Sequence, residues 1–297
     1  MSRILLLTFA CMIWGLGFAA TRWTFEVYDP YWSNALRFLL ASSLTIPILL
    51  WRRALRFNRP VLLCSVFLFA GLQAQTIGIE GTTLAKSGFL TAFYAIFTPI
   101  LLYLKTGVNY RKTYWFLVGL AFLGVAFLCE LSWEGFNRGD AWVLLSALFF
   151  SLHIIAVDSY AQKVHPVDFN FQQVLLVGLM ASAMAFSLQG MPPLWPLFEF
   201  SRLLSPSPIL GFVILAFFSS MIAFTIQIYA QKRIRAHVVS LVFLSESVFS
   251  AFFGMIFFAE FLSPKGVIGA SLVLLAVGLI PFASRFEKRP AESAIPA

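Results

Sequence analysis

Apolar residues follow one another along this chain in ten segments of about 20 residues, separated by short polar stretches. A helix of that length spans the ~30 Å hydrocarbon core of a bilayer. The segments lack the alternation of polar and apolar residues that is typical of strands. The pattern therefore predicts an all-α integral membrane protein with ten transmembrane helices, over residues 4–24, 31–51, 60–79, 83–104, 113–129, 141–161, 168–188, 209–230, 237–258 and 266–283.

The composition of the chain agrees with this prediction. Hydrophobic residues make up 60% of the 297 residues and charged residues only 11%, whereas soluble domains carry about 25% charged residues. Residues 3–20 also resemble a signal peptide. Because nine further apolar segments follow, we interpret this stretch as an uncleaved first helix.

The lysines and arginines predict the orientation of the helices. Most of the 21 lie in segments that are cytoplasmic if the N-terminus is cytoplasmic, and only Arg138, Arg202 and Lys265 fall in outside loops. This asymmetry predicts that both termini are cytoplasmic. The net charge of +8 is therefore a topology signal, and we expect no nucleic-acid partner because no cluster of basic and aromatic loop residues supports one.

A weak internal repeat divides the chain. A shift of 136 residues places Trp14 on Phe150 and Pro30 on Pro166. Because each half holds five predicted helices, an odd number, the second half would enter the membrane from the opposite face. Such inverted repeats are typical of secondary transporters, with the substrate site near the midplane. We predict a first repeat over residues 1–137, a second over residues 138–284 and a cytoplasmic polar tail over residues 285–297.

Several motifs resemble a known family. The run GIEGTTLAKSGFLT (residues 78–91) is followed by Tyr94 and Phe97-Thr98-Pro99, and the second half contains FAEFLSP (residues 258–264). Together with Trp14-Gly15 in the first segment, these motifs resemble the drug/metabolite transporter (DMT) superfamily, and specifically its EamA-type transporters.

The resemblance implies a ten-helix inner-membrane carrier with a central cavity lined by helices 1, 3, 4, 6, 8 and 9. Members export amino acids, other metabolites or toxic compounds, and some relatives carry sugar phosphates or nucleotide sugars. The family often has Glu-Pro in the ninth helix, where this chain has Glu246-Ser247. A proline kink is therefore not expected in that helix.

Glu246 is the deepest charged residue, near the middle of the ninth predicted helix. A charge at that depth costs roughly 2.5–3.5 kcal/mol on insertion scales and requires a compensating partner or a function. Two interpretations remain open. Glu246 either lines the cavity, where it binds a cationic group or exchanges a proton with substrate, or it is a structural partner for a donor elsewhere in the bundle.

Two further polar residues lie within predicted helices. His153, in the sixth helix, could take part in proton coupling because histidine titrates near neutral pH, although a neutral, hydrogen-bonded histidine is the favoured interpretation. Arg37 lies about 9 Å into the second helix at 1.5 Å per residue. We expect it to extend to the outer headgroups, the alternative being capture of a carboxylate or phosphate.

The predicted substrate-binding residues combine these positions with uncharged polar and aromatic ones. Gln73 and Gln75 are 200° apart on a helix, so at most one of them faces a cavity squarely. The three cysteines lie in separate segments, and neither a disulfide nor a metal site or cofactor is predicted. The predicted set is Trp14, Gln73, Tyr94, Thr98, His153, Gln227 and Glu246, with Glu246 and His153 as candidates for proton coupling.

These features favour a secondary transporter in the cell inner membrane, an exporter of small metabolites such as amino acids that works by alternating access. The main alternative is a sugar-phosphate, nucleotide or nucleoside-type carrier, although few intramembrane cations are available for a strongly anionic substrate. A channel or a membrane-embedded enzyme is the alternative from another class. The chain contains neither His-Glu-x-x-His nor Gly-x-Ser-x-Gly. The predicted partners are a small-molecule substrate and the lipid bilayer, and the sequence leaves the oligomeric state open.

Overall fold

The computed structural model describes residues 2–82, 84–129, 136–193 and 206–282, and these residues are mostly helical and include no β-strand. In chain order the helices are α1 (Ser2–Thr24), α2 (Pro30–Trp51), α3 (Arg59–Gly81), α4 (Leu84–Thr91), α5 (Tyr94–Thr106), α6 (Lys112–Leu128), α7 (Arg138–Tyr160), α8 (Pro166–Gln189), α9 (Pro208–Val213), α10 (Phe224–Gln231), α11 (Ala236–Phe243), α12 (Ser245–Phe258) and α13 (Pro264–Leu279). Between α9 and α10, the segment Ile214–Ala223 continues the same rod as a wider π-helix.

Eight helical segments of the described chain are long and apolar enough to cross a membrane. They coincide with eight of the ten predicted segments. The fifth and tenth predicted segments correspond to the shorter apolar helices α6 and α13. The eight segments are Arg3–Thr24, Pro30–Trp51, Arg59–Gly81, Lys86–Thr106, Arg138–Lys163, Pro166–Gln189, Pro208–Gln231 and Ala236–Phe258.

Local sequence explains where several helices begin. Asp29 accepts hydrogen bonds from the backbone N–H groups of Tyr31 and Trp32 at the start of α2. Asn137 and Asp140 form a reciprocal capping box at the start of α7. Such side chains satisfy N–H groups that have no partner within the helix. Proline at the first turn of α2, α3, α8 and α13 has the same effect by removing one such donor.

The helices of the two halves pack in matching pairs. α2 lies along α8, and α6 lies along α13. The contact between α3 and α7 corresponds to the contact between α1 and the rod formed by α9, the π-helix and α10. Likewise, α1 packs on α12 as α7 packs on α4 and α5. The ten predicted segments can be numbered from 1 to 10, so that each segment of the first half has a counterpart five segments later in the second half. When every segment is exchanged for its counterpart, each of the contacting pairs named above becomes itself or another pair that is also in contact.

Glycine permits the closest of these approaches. A Cβ atom on Gly269 would lie 2.4 Å from the carbonyl oxygen of Gly124, and one on Gly15 would lie 2.6 Å from the Cβ of Phe249. Real Cβ atoms do not approach so closely. The α6–α13 and α1–α12 contacts therefore depend on small residues, as is common between membrane helices.

The fourth membrane-crossing rod of each half is interrupted, and the two interruptions lie at corresponding places. The α4–α5 rod is interrupted at Ala92 and Phe93, and the α11–α12 rod at Leu244. At Leu244 the backbone tightens, because its N–H donates to the carbonyl of Leu241, three residues earlier, at 3.3 Å. The ninth segment is thus interrupted without the proline that the family often has.

Residues 189–208 contain five prolines, a composition that predicts a loop and not a regular helix. Most of this loop and the whole of the tail 285–297 lie outside the described residues. At the beginning of that loop, the Tyr28 hydroxyl donates to the carbonyl of Pro193 at 2.7 Å. The Trp32 indole N–H donates to the carbonyl of Gly190 at 3.0 Å. These contacts attach the end of α8 to the start of α2.

Candidate functional site

A cavity lies at the centre of the bundle, between the two halves. Its walls come from α1, α3, α4, α5, α7, α10, α11 and α12, which correspond to predicted segments 1, 3, 4, 6, 8 and 9, as the resemblance implied. Both interrupted rods contribute residues next to their interruptions. The lining residues are Trp14, Leu72, Gln75, Thr91, Tyr94, Phe150, His153, Ile154, Phe224, Gln227, Phe243 and Glu246.

The cavity is small in this structure. About 50 Å³ of it is open to the centre of a water molecule, and one water needs roughly 10–15 Å³ on that measure. The space accommodates a few waters. A metabolite therefore requires the halves or their side chains to move apart.

Aromatic rings form much of the wall. The Trp14 ring lies 5.1 Å from that of Phe224 and meets Phe243 edge-on at 4.9 Å, centroid to centroid. Tyr94 also meets Phe243 edge-on, at 6.0 Å. The buried Trp14 Nε1–H has no hydrogen-bond partner among the described residues. The wall thus offers aromatic surface and one free donor to a ligand.

Glu246 lies in the first turn of α12, directly after the interruption at Leu244. The positive end of a helix dipole favours a carboxylate at this position. Among the described residues, no hydrogen bond or ion pair is formed by its side chain. One interpretation of Glu246 was that it binds a hydrogen-bond donor elsewhere in the bundle. The described residues include no such donor.

His153 and Gln227 both line the cavity but already have partners. The His153 Nε2 atom lies 3.0 Å from the Oε1 atom of Gln173. The Gln227 Nε2 atom donates to the Oε1 atom of Gln231 at 3.0 Å. His153 is thus hydrogen-bonded, as the favoured interpretation of the sequence expected.

Two of the predicted substrate-binding residues lie elsewhere. Gln73 is turned away from the cavity and accepts a hydrogen bond from the Asn34 amide at 3.2 Å. Thr98 is fully buried and is not part of the cavity wall. Gln75 occupies the wall instead, and its amide donates to the Thr91 hydroxyl at 3.2 Å. The angle between Gln73 and Gln75 allowed one of them to face the cavity, and in this structure that residue is Gln75.

Arg37 does not extend to the headgroups, so that expectation was wrong. Its side chain is buried, and its guanidinium donates from Nε to the Ser220 hydroxyl and from Nη2 to the Ser219 hydroxyl, both at 2.9 Å. The sequence does not show that two serines of the π-helical segment provide acceptors inside the bundle. With these acceptors, the guanidinium does not need the water of the interface.

Arg37 and Glu246 both line a second cavity, adjacent to the first. About 30 Å³ of it is open to the centre of a water molecule. It shares Trp14, Leu72, Gln75 and Glu246 with the central cavity. A buried cation and a carboxylate thus line the same small polar cavity, which shares part of its wall with the central cavity.

Comparison with known proteins places the chain in a family. The model of the EamA-like transporter family matches residues 1–129 and again residues 137–282. The chain belongs to the EamA-like transporter family. It is a multi-pass membrane transporter and not an enzyme, and its substrate is a small molecule.

Individual relatives are consistent with this assignment. An uncharacterized transporter of Archaeoglobus fulgidus is 29% identical over 275 residues, covering 92% of this chain and 84% of the relative. An uncharacterized transporter of Buchnera aphidicola subsp. Schizaphis graminum is 23% identical, covering 96% and 98%. A solved crystal structure superposes with a TM-score of 0.74 at 19% identity, covering 95% of this chain and 96% of the other. That likeness concerns the fold alone.

Proposed function

We propose that this EamA-like transporter exports small amine-bearing metabolites such as amino acids across the cell inner membrane. The observation that carries the proposal is the carboxylate of Glu246, which lines an aromatic-walled cavity and has no partner among the described residues. An unpaired carboxylate within a membrane bundle is costly. A cationic ligand group would offset that cost.

The aromatic wall supports the same substrate chemistry. Cations are attracted to the faces of aromatic rings, most strongly to tryptophan, by about 0.5–2 kcal/mol. Trp14, Tyr94 and Phe243 lie around the same cavity as Glu246. A substrate ammonium group would therefore meet a carboxylate and aromatic surface together.

We further propose ten transmembrane helices in two inverted repeats, residues 1–137 and 138–284, with both termini cytoplasmic. Two observations support this arrangement. The family model matches the chain twice, in its first and second halves, and the helix contacts map onto themselves when the halves are exchanged. Alternating access would then be a rocking of the halves about the central cavity.

Ion pairs join the halves at both ends of the bundle. Arg22 pairs with Glu260 at 3.3 Å and Lys86 with Asp140 at 3.7 Å. Arg52 pairs with Asp168 at 2.5 Å at the end that we predict to be cytoplasmic. Rocking of the halves requires the ion pairs at one end of the bundle to break while those at the other end stay formed.

Glu246 is also the residue that we propose for proton coupling. His153 lines the same cavity, but its Nε2 atom is engaged with Gln173. The Glu246 carboxylate has no such partner among the described residues. It is therefore free to exchange a proton for a substrate ammonium.

A second candidate is a carrier of anionic metabolites such as sugar phosphates or nucleotides. The observation that favours it is Arg37, a buried cation that lines the small polar cavity. A single guanidinium is a weak match for a phosphate dianion, which usually has several cationic partners. We therefore place this candidate second.

A ligand screen tests the choice between these substrates. The purified protein in detergent is unfolded thermally with amino acids, primary amines, sugar phosphates and nucleotides. A ligand present at 100 times its dissociation constant stabilises the folded state by about 2.7 kcal/mol. Stabilisation by amino acids or amines supports the proposal, and stabilisation by phosphorylated ligands alone contradicts it in favour of the second candidate.

A further inference from the structure

We propose that Arg37, held by Ser219 and Ser220, is the binding site for a substrate carboxylate, so that the transported molecule is a zwitterion. This inference rests on the proposed function in one respect, which is that the ammonium group of the substrate lies at Glu246. Arg37 then binds the opposite end of the same small molecule.

The first support is the uncompensated charge of Arg37. Its side chain is only 6% exposed, and no carboxylate of the described residues lies within ion-pair distance. Its hydrogen-bond partners are two neutral hydroxyl groups, and its Cζ atom lies 5.0 Å from the centroid of the Phe38 ring. A buried cation is costly without an opposite charge. A bound carboxylate would provide that charge.

The second support is the geometry of the guanidinium. The serines accept from Nε and from Nη2, and no hydrogen bond of Nη1 is found among the described residues. A guanidinium has five N–H donors in a planar fork. Both N–H groups of Nη1 and one N–H group of Nη2 therefore remain without a hydrogen bond to the described residues, and guanidinium donors of this kind bind the oxygens of a carboxylate.

The third support is the way in which the serines are presented. Ser219 and Ser220 lie in the π-helical segment Ile214–Ala223, and π-helical turns often occur at functional sites. The Ser220 hydroxyl donates to the carbonyl of Leu215, five residues earlier, at 2.8 Å. Its own proton is thus committed, and its oxygen is fixed as an acceptor for Arg37. The π-helix, the serines and the guanidinium form one oriented unit.

The fourth support is the placement of Arg37 relative to Glu246. Both residues line the same cavity, yet their charged groups do not come within ion-pair distance of each other. A zwitterion between them would compensate both charges and carry no net charge across the membrane. An amine alone would leave Arg37 uncompensated, and a carboxylic acid alone would leave Glu246 uncompensated.

The test compares matched ligands that differ in one charged group. Binding to the wild-type protein is measured by thermal shift and calorimetry with phenylalanine, phenethylamine and 3-phenylpropanoate. The same is done with leucine, 3-methylbutylamine and 4-methylpentanoate, and with alanine, ethylamine and propanoate. We expect the best amino acid to bind about tenfold to hundredfold more tightly than its matched amine, because a charged hydrogen-bonded pair is lost.

Variants assign that difference to Arg37. Arg37→Gln is expected to weaken the amino acid by about tenfold to hundredfold and to change the affinity of the matched amine less than about twofold. Arg37→Lys keeps the charge but loses the planar fork and should fall between. Arg56→Gln, at an exposed position, is the matched control. The wild-type ligand comparison remains decisive if a variant fails to fold.

The outcomes separate this inference from the proposed function. If amines bind as tightly as amino acids, or if Arg37→Gln weakens both equally, the carboxylate site is wrong and the proposed function stands. If carboxylic acids without an amino group bind as tightly as amino acids and depend on Arg37, the site stands and the proposed function fails. If none of the three classes binds, both are wrong.

Discussion

Arg37 of α2 and Glu246 of α12 line the same cavity from opposite halves of the chain, and no ion pair joins them. Each is costly where it lies, because the surrounding bundle is embedded in hydrocarbon. The arrangement persists without either charge being neutralised by a described residue. This is the feature from which we infer a substrate that carries both charges.

The contact between α6 and α13 leads to a stability prediction. Gly269→Ala or Gly124→Ala should destabilise the protein by about 1–3 kcal/mol, because the added methyl group meets backbone that cannot yield easily. The measurement is the thermal midpoint in detergent. Gly119→Ala and Gly278→Ala are matched controls in the same two helices, since nothing lies within 4 Å of a Cβ at either position. Equal effects in all four variants would contradict the packing described here.

The two glutamines of α3 should respond differently to substitution. Gln75→Ala should weaken substrate binding by about fivefold or more, because a polar group is lost from the cavity wall. Gln73→Ala should instead lower thermal stability, because the Asn34 amide loses its acceptor. Substrate affinity and thermal midpoint are measured for both variants. A larger loss of affinity in Gln73→Ala would mean that the wall is formed by the other face of α3.

The ion pairs between the halves should bias the direction in which the bundle opens. Arg52→Gln removes the pair with Asp168. It should raise the rate at which a membrane-impermeant thiol reagent, applied in proteoliposomes only from the side of that pair, labels a cysteine placed at Gln227 in a background without Cys11, Cys64 and Cys129. The expected rise is about twofold to fivefold, since partly exposed pairs contribute little.

Arg22→Gln is the matched change at the opposite end of the bundle, where the pair with Glu260 is lost. It should lower the labelling rate or leave it unchanged. Equal increases in both variants would indicate general loosening of the bundle and not a change in the direction of opening.

The sequence predicted much of the architecture because the length of an apolar segment is a local signal. The beginnings of α2, α3, α8 and α13 follow from their prolines, and the helices that line the cavity were implied by the resemblance. Trp14, Tyr94, His153, Gln227 and Glu246 were predicted to bind substrate, and the structure brings them together.

Other features depend on contacts between distant segments, which a single sequence does not reveal. Arg37 is retained inside the bundle by two serines more than 180 residues away. Gln73 is turned aside by Asn34 on another helix. The interruption at Leu244 occurs without proline, so no local signal marked it. In each case the missing information is a partner in space.

The most direct test of the proposed function is substrate counterflow in proteoliposomes with wild-type protein, Glu246→Gln and the exposed control Glu80→Gln. An amino acid that stabilises the wild-type protein is loaded inside, and uptake of its labelled form is followed at two pH values. We expect saturable counterflow in wild type and Glu80→Gln, and at least a tenfold loss in Glu246→Gln, because the ammonium partner is removed. Wild-type rates and an unaltered pH dependence in Glu246→Gln would contradict the role assigned to this carboxylate.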